Sequence, residues 1–491
     1  MRHVFQSVVV VVATAACINT GWAQSGDSTA PKQPVILRHA DSLVGTTTAN
    51  GFVRELMGSV HLEQGNVTVY CDHAYQYIEE NRVLLTGSVK IIQGTVTMLM
   101  PRGEFYGNQD LARGEGGVTI LDRKQKLTAN TGYYSTKTLQ ANFMGAVTVE
   151  DDSVRITCDS LSYSRITQQS NCYYSVTMKS KFTDVLILGD SARNVPSVSY
   201  SIIRGKVLML QVDTVKSAKS PVTKSDSANQ SKQNVVADSI DTNKSTEFDT
   251  LAITSKVLES FRAHGQKRFV ATNTVEIVRK NVSAVAEKCI FDNMEETLDL
   301  RGGTDSASRK QPVVWIDSTQ LNADSMWISL PQKKIRNINA HRNALLAMKD
   351  STLADRVQQI TGDALYMTIT DDTLRLVRAV DNAKSLYFMT NEQSPDGVSR
   401  TTCDSLSIVF EAGELEKIIW RGGVRSEYVP ENLVGAGAEK FFLPGYSWLA
   451  GRPSMQTIFI PFAERLGLPV PQPSQENPVK QPEQKIKAKK F

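Results

Sequence analysis

The sequence is poor in the groups that catalysis and metal binding use. Its 491 residues include only six histidines, His3, His39, His61, His73, His264 and His341. They are scattered, with no HExxH and no pair at metal-ligand spacing. His61 and His73 share one repeat, but His61 falls on a polar face. A GxSxG elbow, a P-loop and a GxGxxG after a strand are absent too. The acidic residues are spread out and make no convincing acid/base pair. No enzyme activity, catalytic residue, metal site or cofactor is therefore expected. A net charge of +4 is small for this length and argues against a nucleic-acid partner.

Paired cysteines are also lacking, since no CxxC occurs. Cys17 lies in the leader considered next, which leaves Cys71, Cys158, Cys172, Cys289 and Cys403, an odd set for an oxidising compartment. Cys71, Cys158 and Cys403 each directly precede Asp, so a recurring role as small buried hydrophobes is expected. A Cys158–Cys172 bridge is the alternative left open.

Long apolar runs are confined to the first residues. Positively charged Met1-Arg2-His3 leads into an apolar stretch from Val4 to Ala16, and Gly21-Trp22-Ala23 offers small residues for a signal peptidase. The run falls short of the about 20 residues that span a bilayer. Residues 1–23 are expected to be a cleaved signal peptide. A lipoprotein site at Cys17 is disfavoured, because Thr14-Ala15-Ala16 lacks the usual leucine. The mature chain is then periplasmic, soluble or peripheral to the outer membrane.

What the sequence does have is a repeat. Gly58-Ser59-Val60 returns as Gly87-Ser88-Val89, Gly116-Gly117-Val118 and Gly145-Ala146-Val147, at steps of 29 residues. A fifth copy falls at Tyr174-Ser175-Val176. Within each unit apolar residues alternate with polar ones, the period of a half-buried strand. Val60 and Leu62 precede a Gly65-Asn66 turn, and Val67, Val69 and Cys71 follow it. Later units give Val89, Ile91, Val96, Met98 and Met100, then Val118, Ile120, Leu127 and Ala129, then Val147, Val149, Val154, Ile156 and Cys158. Gln125 breaks the apolar face of the third unit. A second alternating pair closes each unit, as in Val83/Leu85, Ala112/Gly114 and Ala141/Phe143. The fold expected is all-β, an elongated, open, solenoid-like stack of these repeats over residues 35–215. The glycines are expected to relieve strain where strands bend. The recurring Asp-Ser pairs (Asp159-Ser160, Asp190-Ser191, Asp324-Ser325, Asp404-Ser405) suggest self-bonded turns rather than nucleophiles.

Residues 216–245, rich in Ser, Lys, Asn and Asp, read as a flexible linker or long loop. From 246 to 468 a second, degenerate β region is expected, marked by Ala323-Asp324-Ser325-Met326-Trp327, Gly362-Asp363-Ala364-Leu365-Tyr366 and Cys403-Asp404-Ser405-Leu406. Leu443 to Trp448 with Arg452-Pro453 suggests a terminal cap. Residues 469–491 read as a disordered basic tail.

The combination of Gly-x-Val-x-Leu/Ile, a short turn, Val-x-Val/Met, then Cys-Asp and a Tyr resembles the OstA-like (organic solvent tolerance-like) domain family. Cys71-Asp72-His73-Ala74, Cys158-Asp159-Ser160-Leu161 and Cys403-Asp404-Ser405-Leu406 are similar to that family's Ala-Asp-x-Leu element. The resemblance runs from about residue 35 to 215 and weakens beyond. It implies an open, twisted β-jellyroll whose apolar interior receives the acyl chains of lipopolysaccharide or another acylated lipid. The inward positions that carry over are Val60, Leu62, Val67, Val69, Val89, Ile91, Val96, Met98, Val118, Ile120, Leu127, Val147, Val149, Val154 and Ile156. It further implies edge-to-edge strand pairing with other OstA-like β-jellyroll proteins and with an outer-membrane translocon.

An acyl chain left in water costs roughly 0.8 kcal/mol per methylene, so carrying one across an aqueous space requires a continuous apolar trough. The expected function is non-enzymatic lipid binding in lipopolysaccharide transport to, or assembly at, the outer membrane. The alternative is a structural or adhesive envelope scaffold with a fully packed core. A glycan-active β-solenoid enzyme is a third reading, and it would need a clustered pair of carboxylates.

Overall fold

The protein is described by a computed structural model over residues 35–214 and 248–468. Positions 136, 153, 182–184, 264–267, 304–309, 350–354, 371–372, 392–393, 412–413 and 436 are excepted. The signal peptide, the linker at 216–245, His264 and the basic tail therefore lie outside the described residues.

The described chain is almost wholly antiparallel β, joined in a single 28-stranded sheet. Successive strands pair with one another, Gly51–Gln64 with Val67–Tyr77, then Arg82–Gln93, then Val96–Tyr106. The pairing does not stop between the two β regions. Tyr200–Thr214 runs in register with Phe248–Phe261, from Tyr200↔Phe261 to Thr214↔Phe248. Residues 215–247 thus join two paired strands, and both regions share one sheet.

The sheet is folded along its length by a crease that the long strands cross, while the short strands lie on one side of it. Ser59, Ser88, Ala146, Tyr174 and Ser175 all have φ between 47° and 61°, as do the glycines that open the triplets, between 73° and 79°. At each of these places the ladder skips, for example between Met57 and Val60, Thr86 and Val89, and Tyr173 and Val176. The 29-residue period is therefore the spacing between creases. Beyond it the crease continues in other residues, at Asn273-Thr274, Arg342-Asn343 and Asp381-Asn382. Asn tolerates the left-handed region better than most side chains, so these strands keep the crease without a glycine.

On the intervening strands the crease falls at the Asp residues. The Asp190 carboxylate accepts the Lys206 amide at 3.0 Å, and Asp363 and Asp324 accept Asn382 and Asn343 side-chain amides at 3.0 and 3.2 Å. The expectation of self-bonded Asp-Ser turns is corrected here. Asp159, Asp190 and Asp404 lie within the strands Val154–Ser164, Val185–Val195 and Ser394–Glu411, with Asp324 just before Ser325–Ser329. The Asp190, Asp324 and Asp363 carboxylates bond instead across to the neighbouring strand.

The apolar residues of the inner face form one continuous core from Ala129 to Ile408, with a separate cluster from Leu56 to Val118. In the first repeats the outer face is wet. In the second region it is covered by the chain's last described segment. Residues 431–468 run back across the outside of one arm, and helix Met455–Phe459 with Phe462 packs on Leu188, Leu208, Leu210, Ala252 and Val278. Leu443 and Val434 pack on Leu386, Phe388 and Val398. The segment expected to cap one end is instead a strap laid along the sheet.

Candidate functional site

Where the two arms of the first repeats face each other they do not meet. A trough of about 650 Å³ runs between them, lined by residues from Val35 to Arg165. One arm contributes Leu62, Val67, Val69, Ile91, Val96, Met98, Ile120 and Leu127, with Val118 at the crease. Val60, Val89 and Val147 are at most 1% exposed and form the packed floor of the crease. Val149 reaches the inner end of the trough. Val154 and Ile156 lie beyond it, in a crevice of about 70 Å³ that Val149 also lines.

The other arm contributes Leu56, Ala74, Leu85, Phe105, Phe143 and three in-register glycines, Gly103, Gly114 and Gly132. Leu85, Gly114 and Phe143 belong to the second alternating pair of their units, but none of these residues was among the expected groove positions. The reason is a change of phase. Along Val67–Tyr77 the inner residues are Val67, Val69 and Cys71, but after the irregularity at Cys71-Asp72 they become Ala74 and Gln76. The same change takes Val96, Met98 and Met100 into Gly103 and Phe105. Alternation read without that step loses the second arm, and the Asp after each Cys was the available signal.

The lips of the trough are polar. Arg54, Arg113, Arg165, Tyr133 and Tyr134 edge one arm, and Gln64, Gln93, Asp122, Gln125 and Lys126 the other. Arg113 lies over the Tyr133 ring with its guanidinium 5.4 Å from the centroid. Glu104 is buried and accepts from the Tyr106 hydroxyl and from Arg102 at 2.6 Å, with Arg82 at 3.9 Å. The Tyr106 hydroxyl, opposed by burial and seconded by Arg102, holds the Glu104 carboxyl below the usual range. Asp122 is 3% exposed; one oxygen accepts the Thr95 hydroxyl at 2.6 Å and the other has no protein partner.

The cysteines take no part in the lips. Cys71, Cys158, Cys172, Cys289 and Cys403 are buried and free, so the open alternative of a Cys158–Cys172 bridge is not realised. The two thiols lie in hydrogen-bonding contact, which together with burial pushes the Cys172 thiol up. Among the described residues no group of three or more His, Cys, Asp or Glu is placed to hold a metal ion. No helix among them is long and apolar enough to cross a membrane.

Comparison with known proteins adds to this geometry. The family model described as OstA-like protein matches residues 32–186. That span contains the five creases from Gly58 to Ser175 and the whole trough. Among solved structures, the chain is similar to LptH from Pseudomonas aeruginosa, the LptA-homologous periplasmic component of the conserved lipopolysaccharide transport device. Identity is 13%, over 22% of this chain and 81% of that one, with a TM-score of 0.21. No curated protein matches.

Proposed function

Given an OstA-like domain over residues 32–186, we propose that the protein binds lipid in the bacterial envelope without turnover. Its place is in lipopolysaccharide transport to, or assembly at, the outer membrane, and its compartment is the periplasm. The observation that carries this reading is the apolar trough of about 650 Å³ between the two arms, a volume within the roughly 300–1,000 Å³ usual for ligand sites.

The physical case rests on incomplete burial. Val67, Val69, Ile91, Val96, Met98, Ile120 and Leu127 stay half-exposed although they face inward. Such a contiguous apolar surface is unfavourable in water unless something covers it. An acyl chain matches it in length and chemistry. The lips suit the other end of an amphiphile, since Arg54, Arg113 and Arg165 offer planar guanidiniums to anionic headgroup oxygens. At one edge of the sheet the strands Ile36–His39 and Ser42–Thr48 expose Val35, Ile36, Leu37, Leu43 and Val44. An unpaired apolar edge of this kind invites strand addition, here by other OstA-like jellyrolls or an outer-membrane translocon.

A photo-crosslinking residue at Met98 or Ile120, introduced in cells, is expected to capture lipid. Adducts to protein alone at both positions, with no lipid in native mass spectra of material from its own envelope, would overturn the reading. The filled second region favours a purely structural role for that region by itself.

A further inference from the structure

The trough and the packed region belong to one sheet, yet they are very different inside. From Val149 onward the inner face closes. Val154 and Leu161 are fully buried, and so are Ile253, Ile277, Val314, Leu346 and Ile360 further along. Side chains from both arms fill the space that is empty in the first repeats, and they belong to a single core. At the junction the opening shrinks from about 650 Å³ to a crevice of about 70 Å³.

The wall of the crevice is mostly apolar, but it carries one buried cation with polar neighbours. Arg262 lines it and donates to the Ser201 hydroxyl at 2.6 Å, with Ser170, Asn194 and Ser260 nearby on the wall. Burial pushes the Arg262 guanidinium down to about 10, so it is still charged at neutral pH. A methylene chain pushed past it would have to displace a buried, hydrogen-bonded cation without offering it a replacement partner.

The strap braces one arm of this region from outside. It is held by polar anchors at intervals: Gln359 accepts the Leu443 amide, Gln320 bonds Ser447 and Leu449, Arg452 reaches Asn281, Ser283 and Asp317, and Arg465 reaches Val176 and Gly189. Ties that run from one strand to another far along the sheet oppose any spreading of that arm. The two ends of the sheet differ as well. The strands at the edge beside the trough expose Ile36, Leu37, Leu43 and Val44 with one charged side chain, Arg38, whereas the far edge exposes Glu416, Lys417, Arg421, Arg425 and Glu427 beside Leu415, Val424 and Tyr428, a charge density that discourages further strand addition.

We propose that the trough is single-ended: an acyl chain enters between residues 35 and 165, stops at the Arg262 crevice and leaves the way it came. The protein then holds an amphiphile at the end of a transfer path and does not pass it from one end of the sheet to the other. This rests on the lipid reading above and adds a direction to it.

The test uses the full chain and palmitic acid carrying a diazirine and an alkyne, photolysed and mapped by peptide mass spectrometry. Adducts confined to peptides from residues 35–165, and removed by excess unlabelled palmitate, are the expected result. Competable adducts of similar yield on peptides from 250–410 would overturn the single-ended trough while leaving lipid binding intact. No competable adduct anywhere would overturn the lipid reading and this inference with it.

Discussion

Asp190 and Gly205 contend for the same space across the crease: the Asp190 carboxylate lies where a Cβ on Gly205 would have to be, and accepts the following amide, that of Lys206, at 3.0 Å. Asp72 stands in the same relation to Gly87, and Asp404 to Gly422. Each of these glycines also has a φ between 73° and 98°. Gly87→Ala therefore has two costs, backbone strain of about 1–3 kcal/mol and displacement of Asp72. Gly94 is the control, with a φ of 60° and open space where a Cβ would go. Gly94→Ala is expected to cost only about 1–2 kcal/mol. Urea denaturation of the two variants checks this, and equal losses would show that strain alone fixes the crease.

These corners explain which parts of the fold the sequence displayed. Gly58, Gly87, Gly116 and Gly145 recur because each opens a crease, and Tyr174 keeps the period because its backbone adopts the same left-handed conformation. Alternation was plain in Val67–Tyr77 or Val96–Tyr106 because only one face of those strands is covered. It blurs in Leu208-Met209-Leu210 and Val313–Ile316, where the strap or its neighbours bury the outer residues too. No local pattern reveals a cover supplied by residues more than a hundred positions away. The second arm's place in the trough was hidden for a smaller reason, the change of phase at Cys71-Asp72 and its counterparts Met100-Pro101 and Ala129-Asn130.

The strap's stability should depend on Arg452. Its guanidinium donates to the carbonyls of Asn281 and Asp317 at 2.5 and 2.6 Å and to the Ser283 hydroxyl at 2.9 Å. Hydrogen bonds from a charged donor contribute roughly 1.5–3 kcal/mol each, but part of this site is exposed. Arg452→Ala is therefore expected to cost about 2–3 kcal/mol in total. Protection from amide exchange should fall first in residues 443–468. Unchanged exchange there would mean that the apolar contacts of Ile458 and Phe462 hold the strap without it.

The Cys71 and Cys289 thiols should be silent in the native protein. Burial, with a smaller contribution from Asp72, pushes Cys71 up to about 11, and burial with Asp299 pushes Cys289 up to about 12. The thiolate is the reactive form, and neither residue presents it at pH 8. Alkylation mapped by mass spectrometry should leave both unmodified until denaturant is added. Rapid labelling of Cys71 in native buffer would show that the floor of the crease opens readily.

Acid should loosen the lip of the trough before it affects the packed region, and Glu104 is the reason. Its carboxyl is held below the ordinary 4.5 by the Tyr106 hydroxyl, against the opposing effect of burial, and then by Arg102. A carboxyl whose native value is lowered adds stability above its unfolded value, and that stability is lost as pH falls through the lowered native value. The native ensemble keeps the charge there and the unfolded chain takes up the proton first, so unfolding is favoured on the acid side. Glu104→Gln removes the linkage while keeping the shape. The wild type is then more stable than the variant at pH 7, and the gap narrows as pH drops below about 4. Urea titrations at pH 7, 5 and 3 give the comparison. A gap that stays constant across them would mean that Glu104 acts through packing, and that the Tyr106 and Arg102 contacts contribute nothing specific to the charged form.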